Sequence, residues 1–241
     1  MKTSTLAIPA LIAAALMAAG CSQGGDGEGD TADMEEVNPA MQEITPAESG
    51  PMTFFITSAG PGDGANLGGL EGADAHCEML ADAQGAGGMG WAAYLSTINE
   101  DGSAAVNARD RIGTGPWHNQ AGVLIANNVD ELHSDAANLT KESILTEMGG
   151  MVSGRGDEVN MHDILTGSNM DGTAMTGDGY NNCGNWTSNG EGSTGVGHHD
   201  RTGGGQNPTS WNSAHGSRGC SQENLQGTGG NGFFYCFATG G

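Results

Sequence analysis

The stretch NLGGLEGADAHCEMLADAQG, Asn66 to Gly85, carries the clearest helical period in the chain. Leu70, Ala73, Cys77, Leu80 and Gln84 recur at i, i+3, i+7, i+10 and i+14, the spacing that lines one face of an α-helix. A helix from about Glu71 to Ala83 follows, with Cys77 turned inward and Gly85 as its stop signal. On either side the period changes to two. Met52 to Ser58 (MTFFITS) sets Phe54 and Ile56 against Thr53, Phe55 and Thr57, a strand with one face better buried than the other. Trp91 to Ser96 (WAAYLS) alternates again, and Gly122 to Asn127 (GVLIAN) and Val159 to Thr166 (VNMHDILT) are further short strands. Phe233 to Ala238 (FFYCFA) is an aromatic strand holding Cys236. A helix set among short strands reads as an α+β domain. Gly167 to Gly232 is different, dominated by Gly, Asn, Ser and Thr with two cysteines and two tryptophans. A structureless loop of that length is expected only where it is bridged or functional.

The 241 residues suit one core plus a tail. The 44 glycines exclude a mostly helical protein, because each costs backbone entropy in a helix. A formal net charge of -22 repels phosphate backbones and argues against nucleic acid as a partner. Residues 1–20 read as a signal: Lys2, an apolar run from Leu6 to Ala19 too short to span a bilayer, then Gly20. Ala18-Ala19-Gly20 before Cys21 resembles a bacterial lipobox, which makes Cys21 the lipidated residue and the membrane a partner through its acyl chains. Ser22 after it resembles the outer-membrane sorting pattern, so the expected location is exported and lipid-anchored at the outer membrane or cell surface of a Gram-negative bacterium. Residues 21–50 carry eight carboxylates and no base, a disordered acidic spacer. Residues 51–241 form the folded domain, still with 21 acidic against six basic residues.

Setting Cys21 aside leaves Cys77, Cys183, Cys220 and Cys236, an even set that predicts two disulfides in an exported protein. Four cysteines allow three pairings, and spacing does not choose among them. Zinc is the competing reading, but no CxxC is present.

The strings NLGGLEGADAHCEMLADAQG, WAAYLS, GPW near Gly115, VLIANN at Val123, LTGSNMDGT at Leu165, CGNWTS at Cys183 and FFYCFA resemble a bacterial lectin-like domain of unknown function. That family is typified by the leptospiral endostatin-like outer-membrane lipoproteins, and the resemblance covers residues 52 to 239. It implies a C-type-lectin-like (endostatin-like) fold: twisted antiparallel sheets, two helices, first and last strands paired, and a long irregular region projecting from the far side. It also implies the bridges Cys77–Cys236 and Cys183–Cys220, and extracellular-matrix or host-protein contacts for some members.

C-type lectins hold sugars through calcium in Glu-Pro-Asn or Gln-Pro-Asp and Trp-Asn-Asp motifs. Here Gln206-Asn207-Pro208 and Trp211-Asn212-Ser213 depart from both, so calcium has no complete motif, and Trp186 and Trp211 read as core beneath the loops. His198, His199 and Asp200, with His215 downstream, are a workable zinc or copper set, yet adjacent residues seldom converge on one ion. They read as solvent-exposed loop groups, and no metal is assigned. His76, His118, His133 and His162 are isolated, as surface or satisfied core groups. Asn169 to Thr173 reads as a turn, and Gly203-Gly204-Gly205 lacks the lysine and helix of a phosphate loop. No nucleophile elbow is present, and the related formylglycine-generating enzymes need free cysteines, which the two bridges consume. The expectation is a non-enzymatic binding or adhesion domain without a cofactor, for an extracellular or matrix protein. The alternatives are a glycan-binding lectin and a structural envelope component. Residues 167–232 are the expected binding region, with Asn185, Asp200, Trp211 and Asn212 as contact residues, since amides, a carboxylate and an aromatic face suit polar ligands.

Overall fold

The computed structural model describes residues 50–177 and 179–240; the expected leader, Cys21 and the expected spacer up to residue 49 lie outside the described residues. In chain order the elements are β1 (Phe54–Ile56), α1 (Gly69–Asp82), β2 (Trp91–Ala93), β3 (Thr97–Ile98), β4 (Ala104–Val106), β5 (Trp117–His118), β6 (Leu124–Ala126) and α2 (Val129–Leu132). They continue with β7 (Asp163–Leu165), α3 (Asn182–Trp186), β8 (Gly195–His198), β9 (His215–Gly216), α4 (Gln222–Gln226) and β10 (Gly230–Ala238).

The aromatic segment late in the chain becomes the middle of the main sheet. Its C-terminal half runs antiparallel to β1 on one edge (Phe54 opposite Phe237) and to β2 on the other (Ala93 opposite Cys236). Its N-terminal half pairs with β7, and β8 and β9 extend the sheet beyond it, in the order β1-β10-β7-β8-β9. First and last strands do pair. The β7–β10 pair is parallel, however, so the expected all-antiparallel arrangement gives way to a mixed six-stranded sheet, with β3–β4 and β5–β6 as separate two-stranded pieces.

Period-two alternation in β1 and β10 divides their side chains between two cores. Phe54, Ile56, Tyr235 and Phe237 face one, with Tyr94, Trp117, Ile125 and Trp211; Phe55, Phe234 and Cys236 face the other, with Trp91, Leu165, Trp186 and Val196. β1 is therefore buried on both faces, against the expectation that one would be drier. Eleven of the twelve aromatic side chains are buried, Tyr180 being the exception, so a small aromatic complement suffices for two cores.

α1 covers the second core with Ala73, Cys77 and Ala81. Small side chains there let the helix lie close on the sheet, while Leu70 and Leu80 pack from its flanks. It begins two residues earlier than the periodicity indicated. Cys77 is bonded to Cys236 and Cys183 to Cys220, the pairing that the resemblance implies. An ion pair adds to the first staple: Arg111 donates to both oxygens of Asp74 (3.1 and 2.7 Å), and Asp74 accepts from the Ala93 N–H of β2 (2.8 Å).

Four helices are present among the described residues where two were expected, but only α1 exceeds five residues. No helix among them is long and apolar enough to cross a membrane. α3 is a left-handed turn: Asn182, Cys183, Gly184, Asn185 and Trp186 all have positive φ, between 46° and 69°. Residues 167–232 are not a projecting loop, since they supply β8 and β9 to the sheet and Trp186, Val196, Trp211 and Leu225 to the cores.

Candidate functional site

Two surface features meet along the segment from His198 to Gly216. The first is a cleft of about 340 Å³ between the end of α2 (His133, Ser134, Asp135) and the run Gln206 to Asn212, with Met170 and Arg201 at its sides. Its floor is a hydrogen-bond chain. Asn212 Nδ2 donates to the Tyr94 hydroxyl (2.9 Å), and that hydroxyl lies 2.7 Å from His133 Nε2. His133 Nδ1 faces the Val129 carbonyl (2.7 Å), an acceptor, so Nδ1 carries the proton and Nε2 accepts from Tyr94. Burial holds the His133 pKa below the ordinary histidine value despite that carbonyl, keeping the ring neutral; burial likewise pushes the Tyr94 hydroxyl far up.

The four expected contact residues divide. Trp211 and Asn212 reach the cleft only at their edges: both are buried, with the indole 4.8 Å from Tyr94 and 5.2 Å from Tyr235. Asn185 lies elsewhere and serves the framework, pairing both its amide atoms with the backbone of Ile98 (3.0 and 2.8 Å). Asp200 is half-buried and belongs to the second feature.

That feature is a cluster of imidazoles around Asp163, created by strand register. Asp163 stands directly opposite His198 in the β7–β8 pair, and His215 stands opposite Val196, two residues along β8. Residues two apart share a sheet face, so Asp163, His198 and His215 converge. His162, just before β7, turns its ring onto His198, with centroids 4.1 Å apart and planes 9° from parallel. The Nε2 atoms of His162, His198 and His215 lie 3.2, 3.3 and 3.4 Å from Asp163 Oδ1. These contacts lie within ion-pair range, yet neither Asp163 oxygen nor His198 Nε2 has an aligned hydrogen-bond partner, so we read them as proximity of donor atoms. The distal nitrogens are differently placed: His162 Nδ1 faces Asp200 Oδ1 (3.2 Å), His198 Nδ1 faces Pro208 O (2.8 Å) and His215 Nδ1 faces Gly216 O (3.0 Å). Burial raises the Asp163 carboxyl, but the approach of His198 and His215 and the charge on His215 and His162 outweigh it, leaving the net below the usual carboxylate value. Burial also opposes ionisation of Asp200, yet His162 and the Arg155 and Thr202 N–H groups hold it well below that range.

Glycines make the convergence possible. A Cβ on Gly203, whose φ is 135°, would lie 2.8 Å from His198 Cε1 and 3.0 Å from His162 Cε1. One on Gly197 would overlap the Trp211 carbonyl. The triple-glycine run is thus a wrap for imidazole rings. An open cleft of about 410 Å³, lined by His162, His198, His215, Gly204 and Gly205, connects the cluster to solvent.

Two sequence expectations are corrected here. His198 and His199 are fully buried, not exposed loop groups, because β8 is an inner strand of the sheet. His162 is not isolated, and with Asp163 it was missed, although VNMHDILT alternates through them and GVGHH at Gly195 offered a partner strand. Compared with protein-family models and with curated proteins, the chain matches none.

Proposed function

We propose that the chain is an exported, lipid-anchored surface protein whose folded region is a non-enzymatic binding module for an extracellular or matrix protein. In this reading the fold is a C-type-lectin-like one, supported by the pairing of β1 with β10 and by the two bridges joining α1 to β10 and α3 to the segment before α4. The observation that carries the reading is the cleft bounded by His133–Asp135 and Gln206–Asn212. It combines a rigid hydrogen-bonded floor with amides, hydroxyls, one guanidinium and the exposed thioether of Met170, the mixture expected of a site that seizes a polar loop. All four domain cysteines are bridged, so none serves as a thiol nucleophile. The excess of 21 acidic over six basic residues in 51–241 favours a basic partner.

The test uses exposed rim residues, not the buried floor. Asp135→Ala, Gln206→Ala and Met170→Ala, in the full chain held in detergent, should each weaken capture of immobilised matrix proteins by about five- to thirty-fold, an alanine cost of roughly 1–2 kcal/mol. Unchanged capture by all three would place the interface elsewhere. Binding on a glycan array that disappears with a chelator would favour the lectin reading instead.

A further inference from the structure

The cluster around Asp163 gathers donor atoms that no aligned hydrogen bond satisfies. Each of the three distal nitrogens faces an oxygen that can only accept, so the proton of each neutral imidazole sits on Nδ1. In the neutral rings Nε2 is then a lone pair, and all three point at one oxygen of a buried carboxylate. Four electron-rich atoms so arranged repel one another unless a positive charge lies among them. The orphaned Asp163 oxygens and His198 Nε2 mark the same gap.

We propose that His162, Asp163, His198 and His215 bind one zinc(II) ion. Bonds of about 2.0–2.1 Å in a tetrahedron place neighbouring ligand atoms roughly 3.3 Å apart. The observed separations from Asp163 Oδ1 are 3.2, 3.3 and 3.4 Å. Ligand atoms of His162, Asp163 and His198 lie within 4.8 Å of one another, which makes these three the buried base of the site. His215, a quarter exposed, reaches Asp163 Oδ1 from the solvent side but stands outside that mutual group, so as the fourth ligand its ring swings inward to close the site. Imidazole with a single carboxylate and no thiolate suits zinc better than calcium, whose sites are built of oxygen. Asp200, Pro208 and Gly216 do what outer partners of metal-bound histidines do, fixing tautomer and ring orientation. The open cleft beside the rings gives the ion its entry path.

Bound zinc would tie β7, β8 and β9 together and anchor the glycine-rich run 199–208, whose far end walls the first cleft. The site stands independently of the proposed partner, since it rests on donor geometry alone.

The test strips the full-length protein with a chelator, titrates it with zinc chloride by calorimetry and counts metal by mass spectrometry. One equivalent should bind, and cobalt(II) in its place should give the strong visible absorption of a tetrahedral ion. His162→Gln and His198→Gln should each lower zinc affinity at least 100-fold and His215→Gln at least tenfold, whereas His76→Gln, remote from the cluster, should leave it unchanged. Since His162 and His198 are buried, near-ultraviolet circular dichroism checks each fold, and His215→Gln, at the quarter-exposed position, provides a readout that spares the core. Failure of the unmodified protein to take up zinc overturns the assignment, as does undiminished binding by a folded His162→Gln/His215→Gln double variant. A preference for copper(II) with a square-planar spectrum would also reject zinc.

Discussion

Trp211 borders the ligand cleft, yet its indole packs against Tyr94, Tyr235 and His133, so its truncation is first of all a loss of core. Trp211→Ala should cost about 3–5 kcal/mol, read as a lower urea midpoint at unchanged slope. An unaltered midpoint would show that the ring is not packed as described. Asn212 belongs to the same framework through Tyr94, Asn169 and Met170. The reading of Trp211 as core beneath the loops agrees with its burial, whereas Asn212, expected as a contact residue, is buried too, because Trp-Asn-Ser among glycines and serines has no period from which the burial of an amide can be inferred. The histidines failed for the same reason. Their burial depends on which strand β8 pairs with, and that is decided by residues 30 or more positions away.

The elements with a strong period were legible: α1 formed over Gly69–Asp82, and β1, β2, β6, β7 and β10 all fall within the alternating segments or extend them. What pattern could not give was partnership. The parallel contact of β7 with β10 and the two short strands β8 and β9 are set by packing on both faces of the sheet. Between α1 and β2, Arg111 bridges helix and strand, bonded to Asp74 and to the Ala93 carbonyl. Arg111→Ala leaves Asp74 half-buried without its partner and should lower stability by about 1–3 kcal/mol, measured by denaturant unfolding; a change below about 0.5 kcal/mol would mean that solvent replaces the pair. α3 departs furthest from any sequence rule, since left-handed geometry costs about 1–2 kcal/mol at each of its four non-glycine residues. Its side chains offset this: Asn182 and Trp186 both donate to Ser96 O, Asn185 pairs with Ile98, and Cys183 is bridged to Cys220.

Among the described residues, three of the six basic side chains pair with acids: Arg109 with Asp130, Arg111 with Asp74 and Lys141 with Asp157. The remaining carboxylates leave a surface that repels polyanions. The position of β10 has another kind of consequence, one of time. Gly230–Ala238 is the middle strand, and β1, β2 and β7 all await it. A chain made from its amino end must therefore carry Phe54, Phe55, Ile56 and Trp91 without their β10 partners until Gly230–Ala238 emerges. Nascent chains arrested before residue 230 should stay open to protease, and those arrested well beyond 238, with a spacer added, should become resistant in a single step. Gradual protection with length would contradict this order. A sheet whose middle strand is Gly230–Ala238 leaves β1 and β2 unpaired until that strand emerges, the state in which this part of the polypeptide can still be passed through a narrow channel.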